Sequence, residues 1–395
     1  MQSSNIFAKR RNGAIAPACR RIEKRLSVKS KNPPRGPRAS VDRAPSRPAK
    51  PAGRPEQARP ARHETVREAP REKREAKPVS QPQPQLALRS GARPDERAPL
   101  ILETAGDDGY RLLDSGAGVK LERYGDITVV RPEAQALWPK SLGEAHWDKA
   151  DAVFTGDTDE EGMGRWRFPR RAIGETWPMQ LLGVDFFGRF TSFRHTGVFP
   201  EQIVHWSWMR DEVIRRGGKA KVLNLFGYTG VASLIAASAG AEVTHVDASK
   251  KAIGWGKENQ QLARMTDRPI RWILDDAMKF IERERRRGNT YDIILTDPPK
   301  FGRGPDGEVW QLFDHLPVML DICRDLLSPR PIGLVLTAYS IRASFYSMHE
   351  LMMETMRGMG GLVESGELII REMPSEPGQA ARALSTSLFS RWTRP

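Results

Sequence analysis

Three stretches decide the fold: Lys221-Val-Leu-Asn-Leu-Phe-Gly-Tyr-Thr-Gly230, Ala241-Glu-Val-Thr-His-Val-Asp-Ala-Ser249 and Tyr291-Asp-Ile-Ile-Leu-Thr-Asp-Pro-Pro-Lys-Phe301. Each opens with a strand-length run rich in Val, Ile and Leu, and a helix-like segment follows it. A further run, Ile270-Arg-Trp-Ile-Leu274, fits between the last two. The alternation reads as βαβαβ around a parallel sheet buried on both faces. In such sheets ligands bind outside the carboxyl ends of the strands, where the strand order switches.

The strand ends carry what a nucleoside ligand needs. Phe226-Gly-Tyr-Thr-Gly230 sets two glycines and a small hydroxyl residue on a tight strand-to-helix turn. Glycine permits positive φ and lets a ligand approach the backbone. The turn is not the Gly-x-Gly-x-x-Gly that cradles a dinucleotide pyrophosphate, so a nicotinamide-dependent dehydrogenase fits poorly. Asp247 lies about 20 residues on, the distance at which an acid reaches ribose hydroxyls. Ser249 is a predicted helix N-cap. Asp276 and the backbone N–H of Ala277 are suited to an adenine edge, and Pro298 and Pro299 fix the chain as it leaves the last strand.

Together these segments resemble the class I S-adenosylmethionine-dependent methyltransferases, and specifically the large-subunit ribosomal RNA cytosine-C5 methyltransferase-like group. That group has a Phe-x-Tyr-Thr-Gly turn, an Asp-x-Ser after the second strand and Asp-Pro-Pro-Lys-Phe after the fourth. His195-Thr-Gly-Val-Phe-Pro-Glu-Gln202 is similar to its Lys-Thr-Gly-Phe-Phe-x-Asp-Gln segment. The resemblance runs from about residue 194 onward. It implies a Rossmann-like α/β fold with a seven-stranded sheet and S-adenosyl-L-methionine as cofactor. The cofactor contacts it implies are Phe199, Gln202, Asn224, Phe226, Gly227, Tyr228, Thr229, Gly230, Asp247, Ala248, Ser249, Asp276, Ala277 and Asp297. It sets the chemistry at Asp297, Pro298, Pro299 and Lys300.

The acceptor atom is where the chain departs from the group. Methylating cytosine C5 requires covalent attack of a thiolate on the ring. The group keeps a cysteine after its fifth strand, in a Ser-Cys-Ser context; here that place reads Leu336-Thr-Ala-Tyr-Ser340. Cys323 sits in a predicted helix as a packing residue. Nitrogen is therefore the expected acceptor, with Asp297 and the backbone at Pro298 orienting its N–H. Lys300 stands where nitrogen methyltransferases carry a base-stacking aromatic, so Phe301 or Tyr339 is the candidate substitute. Lys300 itself is read as holding a phosphate or balancing Asp297. A small-molecule or protein acceptor, and an inactive RNA-binding relative, remain the alternatives.

Composition divides the chain. Residues 1–95 carry 24 of the 63 Lys and Arg and 8 of the 49 Asp and Glu, net +16, leaving residues 96–395 with 39 basic and 41 acidic groups, net −2. The basic stretch, rich in Pro and nearly free of aromatics, cannot bury enough apolar surface to offset its chain entropy, and residues 1–97 are expected to be a disordered arm. Such arms neutralise nucleic-acid phosphates, or are merely solvated. A transient charged helix is conceivable over 64–77. Residues 7–26 faintly resemble an organellar transit peptide, but the basic run to residue 95 favours an arm and a cytoplasmic chain. Two cysteines, Cys19 and Cys323, imply neither a disulfide framework nor a metal site.

Residues 98–200 alternate short β-type runs with Asp/Gly turns and read as a small β-rich subdomain, with Gly116-Ala-Gly118 a hairpin turn rather than a phosphate loop. Residues 201–395 are the expected methyltransferase domain. Within it, 201–216 read as a helix whose His205, Trp206 and Trp208 pack in the core. Residues 302–308 read as a flexible glycine-rich loop over the site, 309–327 as a helix, and 362–371 and 382–392 as the closing antiparallel strands.

Overall fold

The computed structural model describes residues 86, 88–156, 164–339, 341, 343–374 and 381–394. Most of the basic arm, with Cys19 and the stretch 64–77, lies outside these. An edge strand β1 (Asp95–Thr104) comes first. A meander follows: β2 (Tyr110–Gly116), β3 (Val119–Tyr124) and β4 (Ile127–Pro132). The short helix α1 (Glu144–Trp147) leads to β5 (Ala152–Gly156) and β6 (Gly164–Arg167), which complete a five-stranded sheet. The hairpin of β7 (Thr176–Leu181) and β8 (Val184–Arg189) stands apart. Ala117 and Gly118 turn the chain between β2 and β3 with positive φ, as a hairpin requires.

The rest alternates strand and helix. A 3-10 turn (Pro200–Gln202) opens α2 (Ile203–Arg215). Then come β9 (Lys221–Leu225), α3 (Val231–Ser238), β10 (Glu242–Asp247), α4 (Lys250–Leu262), β11 (Ile270–Leu274), α5 (Ala277–Arg287) and β12 (Ile293–Thr296). Two short strands, β13 (Phe301–Arg303) and β14 (Val309–Gln311), precede α6 (Leu312–Asp325), β15 (Gly333–Tyr339), α7 (Phe345–Thr355), β16 (Leu362–Arg371) and β17 (Ala383–Thr393).

The large sheet runs β1-β16-β17-β15-β12-β9-β10-β11. Seven of its strands are the expected ones, and β1 adds an eighth beyond β16. All run parallel except β17, which pairs antiparallel with both β15 and β16. The expected boundary at 97/98 falls inside β1, which belongs to this sheet. Pro99 sits where the β1–β16 register shifts between Arg97 and Leu100, a position an edge strand tolerates. One core, holding Met209, Val213 and the α3 apolar residues, also takes in Tyr110, Trp177 and Phe186 of the β-rich region. A second core covers the other face with α5, α6 and α7. Buried on both faces, β9 and β12 need their near-continuous apolar runs. Strand order reverses between them, which opens a crevice at their carboxyl ends. No described helix is long and apolar enough to cross a membrane.

Two local expectations change. Residues 302–308 are not a free loop but the turn of a hairpin, because Phe301 pairs with Gln311 and Arg303 with Val309. The predicted helix over 309–327 consequently begins only at Leu312.

Candidate active site

The crevice holds a cavity of about 740 Å³. Of the cofactor-contact residues expected from the sequence, all but Gly230 line it, as do Asp297, Pro298, Pro299 and Lys300, while Gly230 shapes the turn behind the lining. His195, Glu201, Thr337, Tyr339 and Phe301 line it too.

One half is built from short-range contacts. Phe226, Tyr228 and Gly230 all have positive φ, which coils the chain tightly from β9 into α3. A Cβ on Gly230 would sit 2.5 Å from the Trp272 ring, so glycine is required there on two counts. Asp247 at the end of β10 accepts the Tyr228 N–H at Oδ2 and the Ser249 N–H at Oδ1, both 2.8 Å. Burial raises its pKa, and these two backbone bonds oppose the rise. Ser249 caps α4 through Ala252 N–H, and Asp276 caps α5 through Lys279 N–H. Thr229 donates to the Gly197 carbonyl at 2.6 Å, binding the turn to the segment that carries Phe199. The Phe199 ring lies 5.6 Å from Tyr228. Asn224 donates to Ser233, which meets His245 at 2.9 Å, so this side chain supports the turn from beneath while lining the cavity.

The other half is assembled over long separations. Asp297 follows β12, where Thr337 on β15 donates to Oδ1 at 2.7 Å and Gln202 to Oδ2 at 3.1 Å. Burial raises the Asp297 pKa against these bonds. Lys300 is exposed and forms no ion pair with Asp297 among the described residues; Gln202 and Thr337 fill that role. The β13–β14 hairpin roofs the cavity: Trp310 donates to the Pro299 carbonyl at 2.6 Å and packs 5.1 Å from the Phe226 ring. Phe301 remains 43% exposed at the rim, and Tyr339 takes a hydrogen bond from Arg194. From the β-rich region, Arg131 reaches the Arg194 carbonyl at 3.1 Å while paired to Glu122, which joins that region to the cavity wall. His205 and Trp206 are buried at the floor of the cavity, and Arg391 covers Trp208.

Sequence reasoning missed Thr337 and Glu201. Thr337 lies in the run read for its missing cysteine and for Tyr339, and Glu201 sits beside Gln202 in the quoted motif. Cys323 is fully buried in α6, and burial pushes its thiol up to about 12. Among the described residues no three His, Cys, Asp or Glu side chains gather as a metal site requires.

The fit to an adenosyl sulfonium ligand is chemical as well as spatial. The crevice offers a carboxylate on a strand end for ribose hydroxyls, a second acid with the first backbone N–H of α5 beside it, and an apolar wall of Phe199 and Phe226.

A family model described as conserved hypothetical protein 95 matches residues 205–311. The crystal structure of a SAM-dependent methyltransferase from Agrobacterium tumefaciens is 69% identical, with TM-score 0.76, over 78% of this chain and 97% of that one. Ribosomal RNA large subunit methyltransferase I of Cronobacter sakazakii is 30% identical over 223 residues, 50% of this chain and 52% of that protein. The chain thus spans about half the length of the curated relatives it matches. A putative SAM-dependent methyltransferase from Streptococcus mutans, 17% identical, shares the fold at TM-score 0.53 over 72% of this chain and 75% of that one.

Proposed function

The chain belongs to the S-adenosylmethionine-dependent methyltransferases, and from that premise we propose that it methylates RNA, at nitrogen and within ribosomal RNA. The observation that carries the reading is Asp297, held at the switch point of the sheet by Gln202 and Thr337 and facing the turn that Asp247 closes. Bound S-adenosylmethionine supplies an activated methyl together with its own leaving group. The protein's work is to position and to exclude water. Asp247 takes the ribose hydroxyls, with Tyr228 and Ser249 orienting its carboxylate. Asp276 and Ala277 meet the adenine edge. Asp297, with the Pro298–Pro299 backbone, accepts an N–H of the acceptor and turns its lone pair toward the methyl. Phe301 stacks the base, and Lys300 contacts a phosphate beside it.

RNA is supported by the rRNA methyltransferases that match half their length, and by the basic arm over residues 1–97. Nitrogen rather than cytosine C5 is supported by the run 336–340, which ends β15 with Tyr339 and holds no cysteine, and by the inert burial of Cys323. An RNA acceptor with no membrane-spanning helix among the described residues agrees with a cytoplasmic site of action.

Calorimetric titration of the full chain with S-adenosylmethionine is the test. One saturable site is expected, weakened about 100-fold by Asp247→Ala, which removes a charged acceptor and strands two backbone donors. Labelled methyl should then appear in large-subunit ribosomal RNA transcribed without modification. A folded chain that binds none of the cofactor defeats the reading.

A further inference from the structure

The turn Pro200–Gln202 presents two neighbouring polar side chains to one cavity, and only one of them is engaged. The Gln202 amide donates to both Asp297 and Thr337. Glu201 is 7% exposed, yet among the described residues its carboxylate accepts no hydrogen bond from another residue. Its main-chain carbonyl accepts from the Thr104 hydroxyl, and its own backbone N–H opposes the effect of burial on the carboxylate. Lys120 and Arg131 face it from β3 and β4, but they are committed to Glu133 at 3.1 Å and Glu122 at 2.7 Å. Asp297 faces it from the end of β12, and the buried Tyr124 lies near it behind the cavity lining. A buried carboxylate whose one donor is its own backbone N–H is costly, and its persistence beside a second acid needs a reason.

We propose that Glu201 is the proton acceptor of the reaction, receiving the proton of an amino group on the acceptor nucleobase seated between it and Asp297. The assignment rests on the reading of the crevice as a methyl-transfer site for RNA. As the N–C bond forms, the C–S bond breaks with its electron pair retained by sulfur. The N–H proton passes to a Glu201 oxygen and leaves to solvent after product release. Asp297, with an oxygen held by each of two donors, orients the amino group, while Glu201, which takes no donor from another described residue, keeps lone pairs for the proton. Burial, reinforced by Asp297 and opposed by Lys120 and Arg131, pushes Glu201 up to about 7, close to the pH at which a general base is most effective. The cavity's two histidines offer no substitute. Desolvation pushes His195 and His205 down to about 3, with nearby Arg131 and Arg391 respectively adding to it.

The test compares the full-length wild type with Glu201→Gln and Glu201→Asp. Calorimetry with S-adenosylhomocysteine reports the cofactor site, and labelled-methyl transfer to unmodified large-subunit ribosomal RNA reports turnover from about pH 5.5 to about pH 9. Wild-type kcat/KM should rise through about pH 7 to a plateau. Glu201→Gln should lose about 100-fold or more and the acid limb of the profile, with S-adenosylhomocysteine affinity unchanged, and Glu201→Asp should recover part of the rate with the limb displaced. Infrared difference spectra of wild type against Glu201→Gln read the group without turnover: a neutral-acid carbonyl band should fade on passing about pH 7. An equally fast Glu201→Gln variant, or a Glu201 already ionised at about pH 5.5, overturns this assignment and leaves the methyltransferase reading intact. A folded wild type that binds no cofactor overturns both.

Discussion

The two halves of the cavity are held by different means. In the half around Asp247 the functional side chains also hold the backbone: the acid binds two N–H groups, and Ser249 and Asp276 each cap a helix. Their partners lie within about 20 residues along the chain. In the half around Asp297, partners come from 95 and 40 residues away. Among the described residues no other residue donates a hydrogen bond to the Glu201 carboxylate and no carboxylate pairs with Lys300, while the Phe301 ring stays 43% exposed. A ligand that is the same in every turnover can be met by groups that double as scaffold. An incoming nucleotide needs groups that are free to engage it, and freedom costs the fold stability.

This contrast fails or sharpens in four ways. Replacing Asp297 with Ala should lower methyl transfer by about 1,000-fold, about 4 kcal/mol in the barrier, while cofactor affinity changes by less than about 10-fold. Parallel kinetics and calorimetry separate the two, and equal losses would make Asp297 part of the cofactor half. Glu201→Gln should alter the pH dependence of stability. The raised folded-state pKa means that Glu201 favours folding most below its ordinary value of 4.5, and that this contribution is lost as pH rises to about 7. Denaturant titrations of wild type and variant should therefore diverge by about 3 kcal/mol across that window. Phe301→Ala should weaken RNA binding about 10-fold, about 1.4 kcal/mol, and leave the cofactor untouched, as expected of an exposed stacking ring. Cys323→Ala should cost about 1 kcal/mol of stability through the small cavity it leaves, with transfer rates unchanged. Abolished transfer in a folded Cys323 variant would return cytosine C5 to consideration.

What the sequence discloses follows the same division. The turn at Phe226–Gly230, Asp247 and Asp276 are legible because strand, turn and cap are local patterns, and each residue's job is done near its own place in the chain. Thr337 and Glu201 are not, since Thr337 acts only once β15 lies beside β12, and an unpartnered acid looks in sequence like any other. The β13–β14 hairpin escaped because Val309-Trp310-Gln311 reads as a helix start until its pairing with Phe301–Arg303 is known. Strand β1 was obscured by Pro99 and by the charged residues that continue the composition of the arm. Its hydrophobic stretch Leu100-Ile-Leu102 gains meaning only against β16.

That edge strand bears on how the protein is made. Asp95 pairs with Leu362, and β16 in turn is held in the sheet by β17. During synthesis β1 therefore emerges early and waits, unpaired, while more than half the chain is translated. Over that interval it is an apolar edge open to other chains. Completion of the sheet requires closing a very long loop, which slows folding even when the product is stable. Nascent-chain folding should thus proceed from the middle outward, and lesions in 362–393 should appear as aggregation through β1 rather than as a locally loosened sheet edge.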